Sequence, residues 1–472
     1  MKLTGRRVIY TDESEITRNN VLAVLREAVT THDANRIEIE YLWKYYKGDQ
    51  PVLYREKMVE NGIKNNIVIN HANEIVSFKT GYLMGEPVQY VCRGENTDIT
   101  EINRLNAYMH TECKGSKDKE LADDMHIYGT AYRIVLPNDD YTDDVDACPF
   151  EINTLEPSNT FVVYHNGVGN KPLMAVTFTE KTETKDRVYS IYTKDRFFKV
   201  VAEAIVEEKA NYFGIPIIEY PLNKARIGSF EIVIELLNAI NTTRSNQVDG
   251  VEQFVQALMM FKGVDVESED YMALKEQGAI CVPADGDIKY IVSELNQMQT
   301  NDLVKEMETT VLAIVGMPSF SGGNTSDSSN NGAVILKNGW YAAEARAKDT
   351  ELMYKPSELQ FLRLALKAIR EIATTSLRLS DIDIRFTRRN YEDIQSKAQV
   401  LVTMLGSDKI SPKLAFQHCG MFSDPDVAYT ISKEYYEKAK TEEETRLNTL
   451  LSDVTKNNTV ADDKENEEMN DV

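Results

Sequence analysis

The residues from Ser319 to Gly332, SFSGGNTSDSSNNG, form a run made mainly of Gly, Ser and Asn with one charged side chain, Asp327. Such a run gains little from burial and loses much chain entropy when it is ordered, so it predicts a loop. Helical patterns lead into this segment and resume after it. The fold must therefore place a polar loop at the tip of two helices, and not in a linker at a domain edge. A polar, nearly uncharged tip on a rigid support suits weak contact with a partner that moves past it.

The composition indicates a globular, acidic protein. The chain has 472 residues, enough for several hydrophobic cores, and 42% of them are hydrophobic. Its 75 acidic residues outnumber the 53 basic ones, which gives a formal net charge of -22. A protein that binds nucleic acid over its whole surface is basic, so any contact with nucleic acid is expected to be local or weak.

The cysteines and the N-terminus bear on the compartment. Five cysteines lie far apart in the sequence, which favours a reducing compartment over a disulfide framework. The N-terminus lacks the apolar stretch of a secretion signal, and no run of about 18 apolar residues occurs. We therefore expect a protein made and used in the cytoplasm, or in a particle assembled there, without a membrane partner.

The first half of the chain predicts an α+β domain. Helical patterns begin at Asp33, stop at Gly48 before Pro51, and are followed by three further predicted helices and then by strands. The predicted helices are Val68 to Met84, Ile99 to Glu112 and Ser116 to Tyr128. The predicted strands are Thr130 to Leu136, Leu173 to Thr179, Val188 to Thr193 and Phe197 to Val201.

The second half is mainly helical. A helix is predicted from Ser229 to Gly263, about 50 Å long at about 1.5 Å per residue, and a second from Thr300 to Val315. A compact insertion with short strands separates them. After the polar run a helix resumes near Gly332 and continues to Thr375, with Gly339 and Pro356 as the expected bends. A strand and short helices follow up to about residue 440, and the acidic remainder is expected to be disordered.

Catalytic motifs are missing from the sequence. It has no phosphate-binding GxxxxGK[ST] loop, and its six histidines form no metal-binding pair. Adjacent carboxylates such as Asp285 and Asp287 can bind Mg²⁺, but such pairs arise by chance among so many acids and suit a turn for backbone reasons. We therefore expect no enzyme activity, no cofactor and no metal site.

Several strings along the chain resemble one family. They are YYKGDQPVLYR from Tyr45, NNIVINHANEIVSFKTGYLMGEPVQY from Asn65, GIPIIEYPLN from Gly214, SFEIVIELLNAIN, VEQFVQALMMFKG, NNGAVILKNGWYAAEARAK, DIDIRFTRRNYEDIQSKAQVL and KISP from Lys409. In this order they resemble the portal proteins of tailed bacteriophages, specifically the Gp6-like family typified by phage SPP1. The resemblance spans nearly the whole chain.

The resemblance implies a subunit of a ring, typically of twelve identical copies, around a DNA channel at one capsid vertex. Its implied parts are an N-terminal arm (1–32), an α+β wing (33–228), a stem helix (229–263), a clip (264–292), a second stem helix (293–316), a tunnel loop (317–332), a long bent helix of the wing (333–380), a crown (381–440) and an acidic tail (441–472).

The same resemblance implies functional residues and partners. The residues implied to contact DNA in the channel are Ser319, Phe320, Ser321, Gly322, Gly323, Asn324, Thr325, Ser326, Asp327, Ser328, Ser329, Asn330, Asn331 and Lys337. The clip residues implied to dock partners are Glu267, Glu269, Asp270, Tyr271, Asp285 and Asp287. The implied partners are further copies of the chain, double-stranded DNA, the large terminase subunit, a head-completion or adaptor protein, and the major capsid and scaffold proteins. The implied location is the portal vertex of the virion, after assembly in the host cytoplasm.

Two other classes remain open from the sequence. A capsid structural protein without a channel would share the acidity and the missing catalytic motifs, but it would not need a polar tip between helices. A Mg²⁺-dependent nuclease would use the carboxylate pairs, with Asp285 as the residue whose replacement abolishes cleavage.

Overall fold

The computed structural model describes residues 3–56, 64–93, 99–142, 147–181, 186–255, 258–262, 287–291, 297–318, 339–388, 394–422 and 425–468. The chain divides into two compact units, Met1–Arg389 and Asn390–Val472. The first contains both helices and sheets, and the predicted α+β class is confirmed.

The helices and strands of the first unit follow in this order. They are β1 (Ile9–Thr11), α1 (Val21–Tyr46), α2 (His71–Leu83), β2 (Gln89–Cys92), α3 (Ile99–Thr111), α4 (Lys114–Tyr128), β3 (Thr130–Pro137), β4 (Phe150–Leu155), β5 (Thr160–His165), β6 (Pro172–Glu180), β7 (Arg187–Thr193), β8 (Arg196–Val201), β9 (Ala204–Ala210), β10 (Ile217–Pro221), α5 (Ile234–Val255), β11 (Leu258–Lys262), β12 (Asp287–Ile291), α6 (Gln297–Val315), α7 (Trp340–Ile372) and β13 (Ile382–Arg385). Short 3-10 turns span Pro51–Tyr54, Glu231–Val233 and Leu379–Asp381.

A six-stranded sheet, in the order β1-β5-β6-β7-β8-β9, forms the first layer. β1 runs parallel to β5 and the other neighbours are antiparallel. Alternation along β6 explains how both faces are used: Met174, Val176 and Phe178 pack against α1, whereas Ala175 faces a separate core formed with the strands β3 and β10. The sheet β10-β3-β4 covers that second face.

Two further cores hold the helices. One joins α3, α4 and α7 to the sheet β10-β3-β4 and includes Leu121, Phe150 and Phe361. The other joins α1, α2, α5 and α6 and includes Leu42, Leu237 and Val311. Helix α7 contains Pro356. Because α6 and α7 flank the polar run in sequence, these two cores fix both of its ends.

The predicted arm (1–32) does not exist as a separate part. β1 joins the six-stranded sheet, and α1 begins at Val21 and not at Asp33. The stripe Val21, Val24 and Leu25 is buried and extends the helix by more than three turns before Asp33, whose carboxylate instead pairs with Arg187 at 2.8 Å. Asp33 is of a residue type that often caps helices, but it lies in the middle of α1, and the helix start predicted at Asp33 is therefore wrong.

The long helix predicted from 229 to 263 is also wrong in its second part. Helix α5 ends at Val255, and Leu258–Lys262 forms β11, which pairs with β12 in the antiparallel register Leu258 to Ile291. The 22 residues of α5 span about 33 Å at about 1.5 Å per residue. Pairing with a segment distant in sequence overrides the local helical pattern.

The second unit contains α8 (Ile394–Leu405), α9 (Pro412–His418) and α10 (Pro425–Glu468). Leu401, Phe416 and Cys419 form its core, and Phe416 stacks on Phe422 at 5.2 Å between ring centroids. The predicted strand near 381 is β13, which pairs with β2 and belongs to the first unit, so the predicted boundary at 381 is wrong.

Helix α10 contradicts both the short helices predicted before residue 440 and the disorder predicted after it. It has 44 residues, and its described side chains are exposed from Ile431 to Asn448. Strong helix formers and pairs such as Lys433 with Glu437, one turn apart, stabilise a helix locally without a core. None of the described helices has the length and apolar character needed to cross a membrane.

Candidate functional site

The residues predicted to contact DNA or partners lie almost entirely outside the described residues. This holds for 319–331, for Lys337, and for Glu267, Glu269, Asp270, Tyr271 and Asp285. Asp287 is the first residue of β12, where it pairs in register with Lys262. The structure does describe the residues around Pro318 and Gly339, on either side of the segment 319–338, and these residues form the candidate site.

The two ends of the segment meet. A methyl group placed on Gly339 would lie 3.6 Å from the Cα atom of Pro318 and 3.7 Å from the carbonyl oxygen of Met317. Gly339 has a left-handed backbone conformation, with φ of 81°, which favours glycine. It is the residue before α7, and the predicted helical residues between Gly332 and Gly339 lie outside the described residues. Pro318 and Gly339, which flank the segment 319–338, therefore lie next to each other in the fold.

The outgoing end is fixed by the end of α6. The Met317 amide donates to the Leu312 carbonyl at 2.9 Å, and Gly316 has a φ of 70°, as is common after a helix. Val315 and Met317 are buried against α2 and α5. A side chain at position 316 would meet the Cγ atom of Arg346 at 2.7 Å, so α6 approaches α7 closely here.

The returning end is fixed by aromatic and charged contacts. The Trp340 ring lies 6.1 Å from Phe78 and 5.9 Å from Tyr82 between centroids. The Tyr82 hydroxyl donates to Glu344 at 2.9 Å, and Arg388 pairs with the same carboxylate at 2.8 Å. The first turn of α7 is thus held to α2 by rings and hydrogen bonds together.

A buried charge cluster holds the middle of α7. The Lys114 ammonium lies 2.6 Å from Asp118 and 2.8 Å from Glu358, and Arg133 pairs with both carboxylates. All four side chains are at most 3% exposed. The phenols of Tyr90 and Tyr220 donate to Glu358. Two cations balance two anions, which is what permits charges to be buried this deeply.

The Asp118 carboxylate of this cluster keeps its charge at neutral pH. Burial alone would raise the pKa of the Asp118 carboxyl, but the charges of Lys114 and Arg133 outweigh it and hold that pKa below its ordinary value. Burial raises the pKa of the Tyr90 phenol well above its usual value, and the Glu358 charge adds to the rise. The tyrosines therefore remain neutral hydrogen-bond donors.

A third support ties α5 to the extended segment before α2. Asn241, Ser245 and Asp249, one helical turn apart, accept hydrogen bonds from the amides of residues 69, 67 and 65 at 2.9, 2.9 and 2.8 Å. These three hydrogen bonds form a ladder along α5, and Arg55 forms an ion pair with Asp249 at its end, at 2.6 Å. Helix α5 in turn contacts α6 through Arg244, which lies 3.1 Å from Asn301 and 3.4 Å from Glu308.

The sequence analysis missed the charge cluster and the ladder. The ladder had a signal, because three small polar residues at intervals of four fall on one helix face at 241, 245 and 249. The pair Lys114 and Asp118 also has helical spacing. Among the described residues, no group of three or more His, Cys, Asp and Glu side chains could hold a metal ion.

These elements form a helical scaffold that holds Pro318 and Gly339 next to each other, on either side of the segment 319–338. The family model for phage portal proteins of the SPP1 Gp6-like type matches residues 26–448, about nine-tenths of the chain. The chain belongs to this family, and the resemblance found in the sequence is confirmed. No curated protein matches the chain.

Proposed function

We propose that the chain is a subunit of a ring of twelve identical copies that sits at one capsid vertex and passes double-stranded DNA during packaging and ejection. The match to the portal family over residues 26–448 carries this proposal. In it the ring forms in the host cytoplasm and remains in the virion. No enzyme activity belongs to the chain, because a separate terminase supplies the work of packaging.

The tunnel loop, residues 317–332, is the proposed contact with DNA, together with Lys337. Each phosphate that a protein neutralises adds affinity, and affinity opposes sliding. This loop carries one charged side chain, Asp327, and Lys337 lies just after it, whereas Ser, Thr and Asn can form weak hydrogen bonds to phosphate oxygens. The net charge of -22 per chain repels the duplex elsewhere. A weakly binding loop on a repelling wall allows DNA to pass.

The scaffold supports this role because it fixes the base of the loop. Met317 and Trp340, on either side of the segment 319–338, are held by packing against neighbouring helices. The clip, residues 264–292, is the proposed docking site for the large terminase subunit and later for the head-completion protein. The wing and the crown are the proposed contacts with major capsid and scaffold proteins.

The proposal is tested in two steps. Mass measurement and electron microscopy of the purified protein are expected to show a ring with a central channel. Gly322, Gly323 and Asn324 are then replaced by Trp, which is expected to leave the ring intact and to abolish DNA packaging. A matched control places Trp at Val168, a fully exposed turn residue in the sheet region, and is expected to package normally.

Two results would contradict the proposal. A purified protein that stays a monomer or dimer under all conditions would exclude the portal function. Normal head filling with the three Trp substitutions would remove the loop from the DNA contact while leaving the ring in place.

A further inference from the structure

A cavity of about 370 Å³ lies beside the base of the loop, between α2, α6, α7 and the segment 222–229. Three basic side chains line it, Lys79, Lys224 and Arg346, together with one acidic side chain, Asp349, among the described residues. Their formal charges sum to +2, in a chain whose net charge is -22. The cavity is therefore a cationic exception on an acidic protein.

Basic side chains outnumber the one acid, Asp349, in the cavity lining. Neither Lys79 nor Arg346 has an ion pair among the described residues. Burial and, to a smaller extent, the positive charge of Arg346 together lower the pKa of the Lys79 ammonium to about 8. His126 also lines the cavity, with Nδ1 2.8 Å from the Ser229 hydroxyl and a buried Nε2 that lacks a partner. An anion placed here would relieve a like-charge repulsion that the isolated chain leaves in place.

The walls of the cavity are apolar where they are not basic. Ile232 is 58% exposed and Ile314 is 38% exposed, and both line it. A free phosphate or a DNA backbone would leave these side chains in water. A protein segment that carries a carboxylate would cover them and supply the anion at once.

An acidic patch on the same chain has carboxylates without basic partners in the described part of the chain. Glu120, Asp124 and Glu156 lie together, and none of them has an ion pair among the described residues. Burial, followed by the charges of Glu156, Asp123 and Glu120, raises the pKa of the Asp124 carboxyl to about 8. Asp124 and His126 are two residues apart on α4, which places them about 200° apart around the helix. The acidic patch and the cationic cavity thus lie on different faces of α4.

We propose that in the assembled ring the cavity of one copy receives the acidic patch of the next copy, with Lys79 and Arg346 pairing with carboxylates of Glu120, Asp124 or Glu156. This rests on the proposed ring. A closed ring joins two different surfaces of each copy, and these two surfaces match in charge. Each relieves the uncompensated charge of the other.

Zero-length cross-linking tests the pairing directly. A carbodiimide joins a lysine amine to a carboxylate within contact distance as an amide, and it is itself converted to a urea. Rings assembled from a mixture of unlabelled and nitrogen-15-labelled chains are cross-linked, digested and analysed by mass spectrometry. Peptides that join Lys79 to the patch residues are expected in mixed-isotope form, which shows that two chains contributed. Lys79→Arg keeps the charge and is expected to assemble without this cross-link.

Assembly measurements provide the second readout. Arg346→Gln removes an exposed charge and should not disturb folding, and it is expected to raise the concentration at half-assembly about tenfold, with a weaker dependence on salt. Lys348→Gln is the matched control on the same helix, because Lys348 pairs with Glu344 and does not line the cavity. It is expected to assemble as the unmodified chain does.

Several results would overturn the inference. They are cross-links from Lys79 that occur only within one chain, cross-links that reach acids outside the patch, and equal assembly of Arg346→Gln and Lys348→Gln. Unchanged assembly with a loss of duplex DNA binding in Arg346→Gln would assign the cavity to phosphate. In each case an intact ring keeps the proposed function, whereas a failure of the unmodified chain to form rings would refute the proposed function itself.

Discussion

Replacement of Glu358 by Gln tests whether the buried charge cluster is what holds helix α7. The substitution keeps the size and shape of the side chain and removes one negative charge. It leaves Lys114, Arg133 and Asp118 with a net charge of +1 in a site where these side chains are at most 3% exposed. Tyr90 and Tyr220 each donate to a different carboxylate oxygen, and because the amide nitrogen of Gln cannot accept, one of these two hydrogen bonds is lost.

The magnitude follows from the distances. Glu358 lies 2.8 Å from Lys114 and 3.5 Å from Arg133, which corresponds to a gross attraction of about 6 and about 5 kcal/mol at an effective dielectric constant of about 20. Much of this is offset because the neutral side chain no longer has to be desolvated as an ion. Measured losses on breaking buried ion pairs are about 3 to 5 kcal/mol, and we expect a loss in the free energy of unfolding in this range.

The assay is urea unfolding followed by circular dichroism at a fixed protein concentration, since assembly adds to apparent stability. Glu203→Gln is the control, because the Glu203 pair with Arg26 is exposed and should contribute less than about 1 kcal/mol. Adding Lys114→Met to Glu358→Gln restores neutrality and is expected to recover about 2 kcal/mol. A Glu358→Gln loss no larger than that of the control, or no recovery in the double variant, would refute the reasoning.

Three further predictions concern other supports. Asp249→Ala removes the acceptor of the Asn65 amide and the partner of Arg55, and it is expected to lower the free energy of unfolding by about 2 to 4 kcal/mol. Replacement of the exposed Glu252 by Ala on the same helix should change that free energy little. Equal effects of the two substitutions in urea unfolding would contradict a stabilising role of the ladder. Burial lowers the pKa of His32 to about 4, so the unfolded chain binds more protons than the folded chain between pH 6.5 and 4. The free energy of unfolding should therefore fall by about 3 kcal/mol as the pH decreases through this window. His32→Gln should flatten this pH dependence, and an unchanged slope would exclude His32 as its source. Truncation after Thr455 is expected to leave assembly unchanged in mass measurements, because the side chains of α10 are exposed from Ile431 to Asn448. A loss of rings would show that the tail makes a required contact.

The sequence predicted the elements whose signals are local. Helices α2, α3 and α4 and strands β3, β6, β7 and β8 agree with their predicted positions within a few residues, because periodicity and glycine stops act over short distances. Two of the errors, at the end of α5 and at the boundary near 381, arose where distant residues decide, whereas the start of α1 and the length of α10 had local signals that were misjudged. The strand β11 depends on β12, and β13 depends on β2, across long stretches of chain. Local patterns cannot reveal such pairings.

The candidate site divides in the same way. The polar run could be found from the composition, since a segment of Gly, Ser and Asn has few apolar side chains to bury. Its support was not visible, because Tyr90 and Glu358 are 268 residues apart in the sequence. A single glutamate in a helix with many charged residues gives no sign that it is fully buried. The ladder on α5 was the exception, since its three polar residues repeat at helical spacing.

The separation between support and loop has a physical consequence. Bringing together the ends of a 20-residue segment costs roughly 2.7 kcal/mol from the length-dependent part of the loop-closure entropy alone. The buried side chains of Val315 and Met317, the ring contacts of Trp340 and the cluster at Glu358 lie outside the segment and can offset this cost. The residues between Pro318 and Gly339 therefore need not stabilise the fold. The composition of Ser319 to Gly332 is then free to follow the demands of the proposed weak contact, which explains how a run so poor in apolar side chains can occur in sequence between α6 and α7.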